Sequence, residues 1–272
     1  MTAFALPYLA AARLSGPDAQ TFLQAQLSAD VTRLEEGGAT FACYCSPRGQ
    51  VIGLLLVCRA GAEYLVIGSA SLLPGIVQRL RLFVLRARVQ LALAPEWDVC
   101  GLEDPEASAA AGAFRPQGSD LAWGLRSGGE LSAAGAEFWK ELELRRRVAW
   151  LGPETTERFI PQMLGFDEIG AVSFSKGCYP GQEIVARAKY LGRVKRKPLN
   201  LLVESAPIAA GSAVRLSAGG ESLEATVVDS APVRADSGGT ADQSVVLVVS
   251  PEAPGPVESL DLGSRTYRCA TM

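Results

Sequence analysis

The 272-residue sequence contains no histidine. Histidine is the usual general base for serine and cysteine nucleophiles and the commonest metal ligand. Its absence excludes Ser-His-Asp and Cys-His catalysis, an imidazole base and any histidine-ligated metal. A reactive group in this chain must therefore be tuned by lysine, by backbone dipoles or by its substrate.

Long apolar runs and a charge excess are also missing. The longest strongly apolar run, residues 51–58, is far too short to span a bilayer, and the N-terminus lacks the basic start of a secretory signal. Lys plus Arg number 26 against 29 Asp plus Glu, and the net charge of −3 predicts no general attraction to nucleic acid or to an anionic membrane. We expect a soluble, cytoplasmic protein with no membrane partner.

The cysteines have neither the density of a disulfide scaffold nor the paired spacing of a zinc site. Two of them, Cys43 and Cys45, share one face of a predicted strand, but no second pair lies nearby. Burial is therefore favoured over ligation, and no permanent metal is expected. The six positions are Cys43, Cys45, Cys58, Cys100, Cys178 and Cys269.

The order of apolar patterns predicts an α+β fold with helices on one face of a sheet. A Gly/Ala/Ser-rich span at 104–119 is typical of an exposed connection or a weak helix. Helices are predicted at 16–28, 71–83 and 137–147, and strands at 40–45, 51–58, 64–68 and 86–93.

After residue 198 the pattern changes to short β-rich runs separated by Gly, Ser, Ala and Pro. Such runs predict a small antiparallel barrel or sandwich. We divide the chain into residues 1–192, holding two α+β subdomains, and a β-barrel over 193–272.

The densest group of reactive side chains lies in residues 173–187, around two glycines and a proline. Gly177, Pro180 and Gly181 predict a tight turn, followed by a short helix over 182–191. Cys178 precedes that helix, and both the helix N-terminus and Lys176 favour a thiolate. A buried structural cysteine is the alternative.

A basic strip follows this turn. No acidic residue occurs from 184 to 203, whereas six cations fall between 187 and 197. The strip suits a carboxylate, a phosphate or a nucleic-acid backbone, and a solvated helix end is the alternative. The six are Arg187, Lys189, Arg193, Lys195, Arg196 and Lys197.

Residues 176–183 match the K-G-C-Y-x-G-Q-E signature of the YgfZ-type folate-binding proteins, within the superfamily of the glycine-cleavage T-protein, an aminomethyltransferase. Residues 22–26 with Asp30, residues 45–49 and residues 159–163 resemble further family motifs. The chain departs from the family where the usual A-G-I-P is replaced by residues 146–149, Arg-Arg-Val-Ala, and where Ala25 replaces a glycine.

The resemblance implies a clover-leaf of three subdomains around a central folate cavity, the last being the C-terminal antiparallel β-barrel. It also implies that Trp139 contacts the pterin, although a buried core indole is the alternative. Cys178 with Lys176 is assigned to the chemistry, and tetrahydrofolate or a derivative is the expected ligand. The residues assigned to folate binding are Trp139, Tyr179, Gln182, Glu183 and Arg187.

The T-protein's G-G-x-x-D-D turn corresponds here to residues 48–53, with Ile52 and Gly53 where its aspartates fall. Without this carboxylate the chain lacks the general base expected of an aminomethyltransferase, which argues against that activity. The resemblance instead implies a folate-binding accessory protein for iron–sulfur cluster assembly or repair, with iron–sulfur proteins as partners and indirect support of tRNA methylthiolation. A folate-dependent one-carbon transferase is the alternative, and the 187–197 strip leaves a weak tRNA contact open.

Overall fold

The computed structural model describes residues 3–102, 112–128, 131, 135–192, 194–234 and 243–272. Half of the predicted connection, residues 104–111, and Arg193 of the basic strip lie outside these ranges. The elements, in chain order, are β1 (Ala3–Ala5), β2 (Leu9–Ser15), α1 (Ala19–Gln26), β3 (Ala39–Cys45), β4 (Val51–Ala60), β5 (Glu63–Ser69), α2 (Leu73–Arg81), β6 (Gln90–Leu93), β7 (Asp98–Leu102), β8 (Ala113–Phe114), β9 (Ala122–Arg126), α3 (Ala136–Arg145), α4 (Gln182–Tyr190), β10 (Arg196–Val203), β11 (Ala213–Ala218), β12 (Glu221–Pro232), β13 (Ser244–Pro251), β14 (Val257–Leu262) and β15 (Arg265–Thr271).

The described strands form three sheets. A five-stranded antiparallel sheet has the order β3-β4-β5-β2-β6, and a four-stranded sheet has the order β1-β7-β9-β8. The last six strands close into a barrel in the order β10-β13-β12-β11-β14-β15. The structure thus confirms the α+β class and resolves the predicted barrel or sandwich as a barrel, which begins at Arg196. The division at 192/193 stays a prediction.

The five-stranded sheet is buried on both faces, which explains why β4 has a nearly continuous apolar sequence. Leu54 and Leu56 contribute to one core, whereas Leu55 and Val57 contribute to a second core shared with α1 and α2. The first core extends through the four-stranded sheet to α3, α4 and barrel strand β13. A single apolar core therefore joins elements of all three sheets and fixes the loops between them.

One contact shortens two of the predicted elements. The Asp18 carboxylate accepts a hydrogen bond from the backbone N–H of Arg88 at 2.8 Å, and any Cβ on Gly16 would lie 2.2 Å from the Arg88 carbonyl oxygen. This close approach keeps residues 16–18 out of the helix, so α1 begins at Ala19. It also moves the start of the strand predicted at 86–93 to Gln90. Within the described residues, no helix has the length and apolarity needed to cross a membrane.

Candidate functional site

The turn containing Cys178 is docked against the turn at residues 46–49. Gly181, immediately before α4, has φ +80°, and a Cβ there would lie 2.4 Å from the Ser46 carbonyl oxygen and 2.6 Å from Gly49 Cα. Gly49 also has φ +73°, with Ile184 of α4 packed against it. Two motifs far apart in the sequence thus require glycine because their backbones touch.

Lys176 anchors the same turn to α1. Its buried ammonium donates hydrogen bonds to the carbonyl oxygens of Gln24 and Leu27, the latter at 2.5 Å, and lies 5.2 Å from the centre of the Tyr179 ring. Burial lowers the Lys176 pKa to about 8, against the opposing attraction of Asp30. Since the ammonium points at the end of α1, its role in holding a thiolate at Cys178 stays a prediction.

Cys178 itself is exposed, and it alone is exposed among the six cysteines, all of which fall within the described residues. Cys43 and Cys45 are buried near Tyr179, and burial raises the pKa of both the Cys43 thiol and the Tyr179 phenol. A thiol reagent or a partner protein can therefore reach Cys178, whereas the β3 thiols are enclosed. No group of three or more potential acidic or thiol metal ligands occurs in the described part of the chain.

Ser28, which sequence reasoning missed, connects the loop before Cys178 to β3. Its hydroxyl donates to the Ala171 carbonyl at 2.6 Å and accepts from the Cys43 N–H at 2.7 Å. The Ser28 carbonyl also accepts from the Ser173 N–H at 2.9 Å. A single small polar residue after a helix carries no sequence signal for such a contact, because all three bonds depend on tertiary packing.

The remaining residues assigned to the turn have structural partners. Gln182 Nε2 lies 3.4 Å from the Lys176 carbonyl oxygen, and the exposed side chains of Glu183 and Arg187 form an ion pair at 2.9 Å. Their assignment to folate binding stays a prediction. In the basic strip, Lys189 pairs with Asp167 and Lys197 with Glu252, which reduces the charge available to an external anion.

A cleft of about 400 Å³ lies between Phe41 of β3, the loop before β9 and the segments after α3, and we call it the central cleft. Phe41 of β3 forms part of its wall and stacks edge-on against Trp123, with ring centres 5.4 Å apart. Val148 and Ile169 add apolar surface. The lining comprises Phe41, residues 116–120, Arg146, Val148 and residues 168–170, so the same loop continues from the cleft to Cys178.

Charged side chains form the rim of the central cleft. The Arg146 guanidinium binds both carboxylate oxygens of Asp120, and Arg147 pairs with Glu168. The hydrogen bond from Arg146 holds the pKa of Asp120 below its usual range. The cleft is therefore amphipathic, with apolar walls and an ionic rim.

Trp139 does not line the central cleft. Only 1% of its surface is exposed, and its ring covers Gly101, where any Cβ would lie 2.3 Å from the indole. Its Nε1 has no hydrogen-bond acceptor among the described residues. Contact between Trp139 and a pterin stays a prediction, and it would require the surrounding core to move.

Glu143 is a buried carboxylate that the sequence pattern did not single out. It accepts hydrogen bonds from Trp123 Nε1 at 2.8 Å and from the Tyr8 hydroxyl at 2.9 Å. Burial, together with the charge of nearby Asp229, raises its pKa to about 7 against hydrogen bonds that lower it, including those from Trp123 and Tyr8. One feature of the sequence could have indicated that Glu143 is buried. It lies four residues after Trp139, and therefore on the same apolar side of a charged helix.

Comparisons with known proteins agree with this architecture. The chain is 28% identical over 261 residues to the "tRNA-modifying protein YgfZ" of Klebsiella pneumoniae, covering 84% of this chain and 77% of that protein. It is 30% identical over 188 residues to an uncharacterized protein of Haemophilus influenzae, covering 67% of each. No protein-family model matches the chain.

Among solved structures, the glycine cleavage system aminomethyltransferase T from Bartonella henselae superposes with a TM-score of 0.67. The match covers 99% of this chain and 84% of that one at 17% sequence identity. At this identity the likeness concerns the fold, and it confirms the T-protein-like arrangement expected from the motifs.

Proposed function

Because the chain belongs to the YgfZ family and has the fold of the glycine cleavage T-protein, we propose that it is a folate-binding accessory protein for iron–sulfur cluster assembly or repair. It acts in the cytoplasm and supports tRNA modification indirectly, through enzymes that carry such clusters. The observation that carries the proposal is an amphipathic cleft joined by one loop to an exposed thiol.

The central cleft fits the size and polarity of a folate. Its volume of about 400 Å³ falls within the range of small-molecule sites. The apolar surface of Phe41, Val148 and Ile169 suits a flat ring, and the Arg146 guanidinium at the rim suits a carboxylate. When bound, the folate would supply a carrier for a one-carbon unit, while the chain orients it and keeps the ring away from water.

The structure favours an accessory role over one-carbon transfer. Ile52 is buried in the core against α2, and a Cβ on Gly53 would lie 2.8 Å from Ile76, so neither position can present a carboxylate to the cleft. Asp30 is held by a hydrogen bond from Thr32 that lowers its pKa, which makes it a weak base.

Cys178 supplies an accessible sulfur for the proposed role. As a thiolate it is a nucleophile and a soft ligand, which suits transient contact with a cluster or with a persulfide on a partner. The turn that carries it is fixed by Lys176 and Gly181, so the thiol is presented in a defined position.

Folate binding is tested by isothermal titration with tetrahydrofolate. We expect binding in the micromolar range, weakened at least about tenfold by Ile169→Glu, which places a carboxylate in the apolar wall. Leu93→Glu, at a half-exposed position on β6 outside the cleft, is the matched control. Absence of heat with the wild type, or equal affinities of the two variants, would contradict the assignment of the cleft.

The role of the thiol is tested in a strain that lacks the gene. Wild-type protein is expected to restore iron–sulfur enzyme activity, whereas Cys178→Ala is expected to restore less than about a tenth of it. Cys269→Ala, at the half-buried cysteine of the barrel, is expected to rescue fully. Full rescue by Cys178→Ala at equal protein level would refute the thiol's role.

A further inference from the structure

Two consecutive arginines stand at the central cleft: Arg146 lines it, and Arg147 pairs with Glu168, which lines it too. Where the usual family sequence has alanine and glycine, this chain has Arg146 and Arg147. Arg147 has φ +59°, in the left-handed region where a side chain is disfavoured and glycine is not. The chain thus holds an arginine at a position whose backbone suits the family's glycine.

Both arginines already bind carboxylates, which shows what their geometry accepts. Arg146 binds Asp120 through two nitrogen atoms, and Arg147 binds Glu168. The arginine side chains are 37% exposed, whereas those of Asp120 and Glu168 are 63% and 59% exposed. Since the acidic partners are well hydrated, exchanging them for carboxylates of a ligand costs little.

The cleft separates apolar from charged surface. Phe41, Val148 and Ile169 supply the walls, and Arg146 lies at the rim with its acidic partner. A ligand with a flat ring and an anionic chain would place the ring against the walls and leave the chain at the rim. Carboxylates on that chain would come within reach of the Arg146 guanidinium and, through exchange with Glu168, of Arg147.

We propose that Arg146 and Arg147 recognise the glutamate tail of the bound folate and select folates that carry several glutamates. This inference rests on the proposed folate binding. It assigns ligand specificity to two residues of this chain that the usual family sequence lacks. Arg146 acts in bidentate contact and Arg147 as a second cation beside it.

The test compares tetrahydrofolate carrying one glutamate with tetrahydrofolate carrying five, by isothermal titration. Wild type is expected to bind the pentaglutamate about tenfold more tightly, with the ratio falling towards one as salt is added. Arg147→Gly restores the family residue at a φ that suits it, and Arg146→Ala removes the bidentate donor. Each is expected to reduce the ratio, and the double variant to abolish it.

Two further variants, read with the wild-type result, separate the possible failures. Arg215→Ala removes an equally charged, exposed side chain on the barrel and should leave the ratio unchanged. Asp120→Asn frees Arg146 and should strengthen pentaglutamate binding, and a weakened affinity would overturn the inference. If wild type binds neither form, the folate proposal itself fails. If it binds both equally, or if the double variant keeps the ratio, only the tail recognition is refuted.

Discussion

The free energy of unfolding of the wild type, measured against Glu143→Gln, is expected to fall by about 3 kcal/mol between pH 4.5 and pH 8. Burial raises the pKa of Glu143 from 4.5 to about 7 in the folded chain. Folding therefore favours the protonated acid. The contribution is present in full below pH 4.5. It is lost as the pH rises from 4.5 through 7, because the carboxyl of the unfolded chain ionises there while the buried one stays protonated.

The groups around Glu143 affect its pKa, and they also explain why glutamine is the substitution chosen for comparison. Tyr8 and Trp123 donate to it, and the Asp229 carboxylate nearby is itself paired with Lys140 at 2.7 Å. Glutamine keeps an oxygen for Trp123, and its amide can donate to the Tyr8 oxygen, but it cannot ionise. Urea unfolding of wild type and Glu143→Gln at several pH values gives the difference between their free energies of unfolding.

Glu143→Leu separates hydrogen bonding from ionisation. Leucine leaves the buried donors of Tyr8 and Trp123 without an acceptor, which should cost about 2–4 kcal/mol at pH 5, whereas glutamine should cost much less. A parallel pH dependence in wild type and Glu143→Gln would show that Glu143 does not titrate in this range. Equal stability of the leucine and glutamine variants would contradict the hydrogen-bond argument.

Gly181→Ala is expected to destabilise the fold by about 3 kcal/mol. Roughly 1–2 kcal/mol comes from placing a side chain at φ +80°, and the rest from the overlap of the new Cβ with the Ser46 carbonyl and the Gly49 backbone. Because backbone atoms cannot rotate away, the two turns must separate. The urea midpoint measures the loss, and the rate at which a thiol reagent labels Cys178 reports the displacement.

Gly177→Ala in the same turn is the matched control. Gly177 has no positive φ, and a Cβ there would meet nothing within 4 Å, so alanine should change stability by at most about 0.5 kcal/mol. Similar losses in the two variants would mean that the contact between the turns does not decide the stability of this region. An unchanged labelling rate in Gly181→Ala would show that the Cys178 turn keeps its position.

Local patterns predicted most helices and strands because their signals lie within a few residues. The helix expected at 182–191 is α4, and the strands expected at 40–45, 51–58 and 64–68 are β3, β4 and β5. The strands β1, β7 and β8 were not predicted, since they are short and have weak patterns. The prediction of residues 16–18 as helical failed because the contact between Asp18 and Arg88 is between segments distant in sequence.

For the candidate site too, the sequence did not predict contacts between segments that are distant in the chain. Sequence alone selected Cys178, Lys176 and the two glycine-bearing turns, since the reactive groups and the glycines stand close together in the chain. It could not indicate that Lys176 would bind the carbonyls that end α1, or that Trp139 would be enclosed. A side chain's burial depends on which distant segments cover it.

The sequence by itself determined the α+β class, the C-terminal barrel strands, the motif around Cys178 and the loss of the transferase carboxylates at Ile52 and Gly53. Only the tertiary structure decided which side chains meet: the central cleft drawn from Phe41, Arg146 and Ile169, and the buried acid at Glu143. Periodicity and turn chemistry act along neighbouring residues. Clefts, close backbone contacts and pKa shifts instead arise when packing brings separate segments together and excludes water.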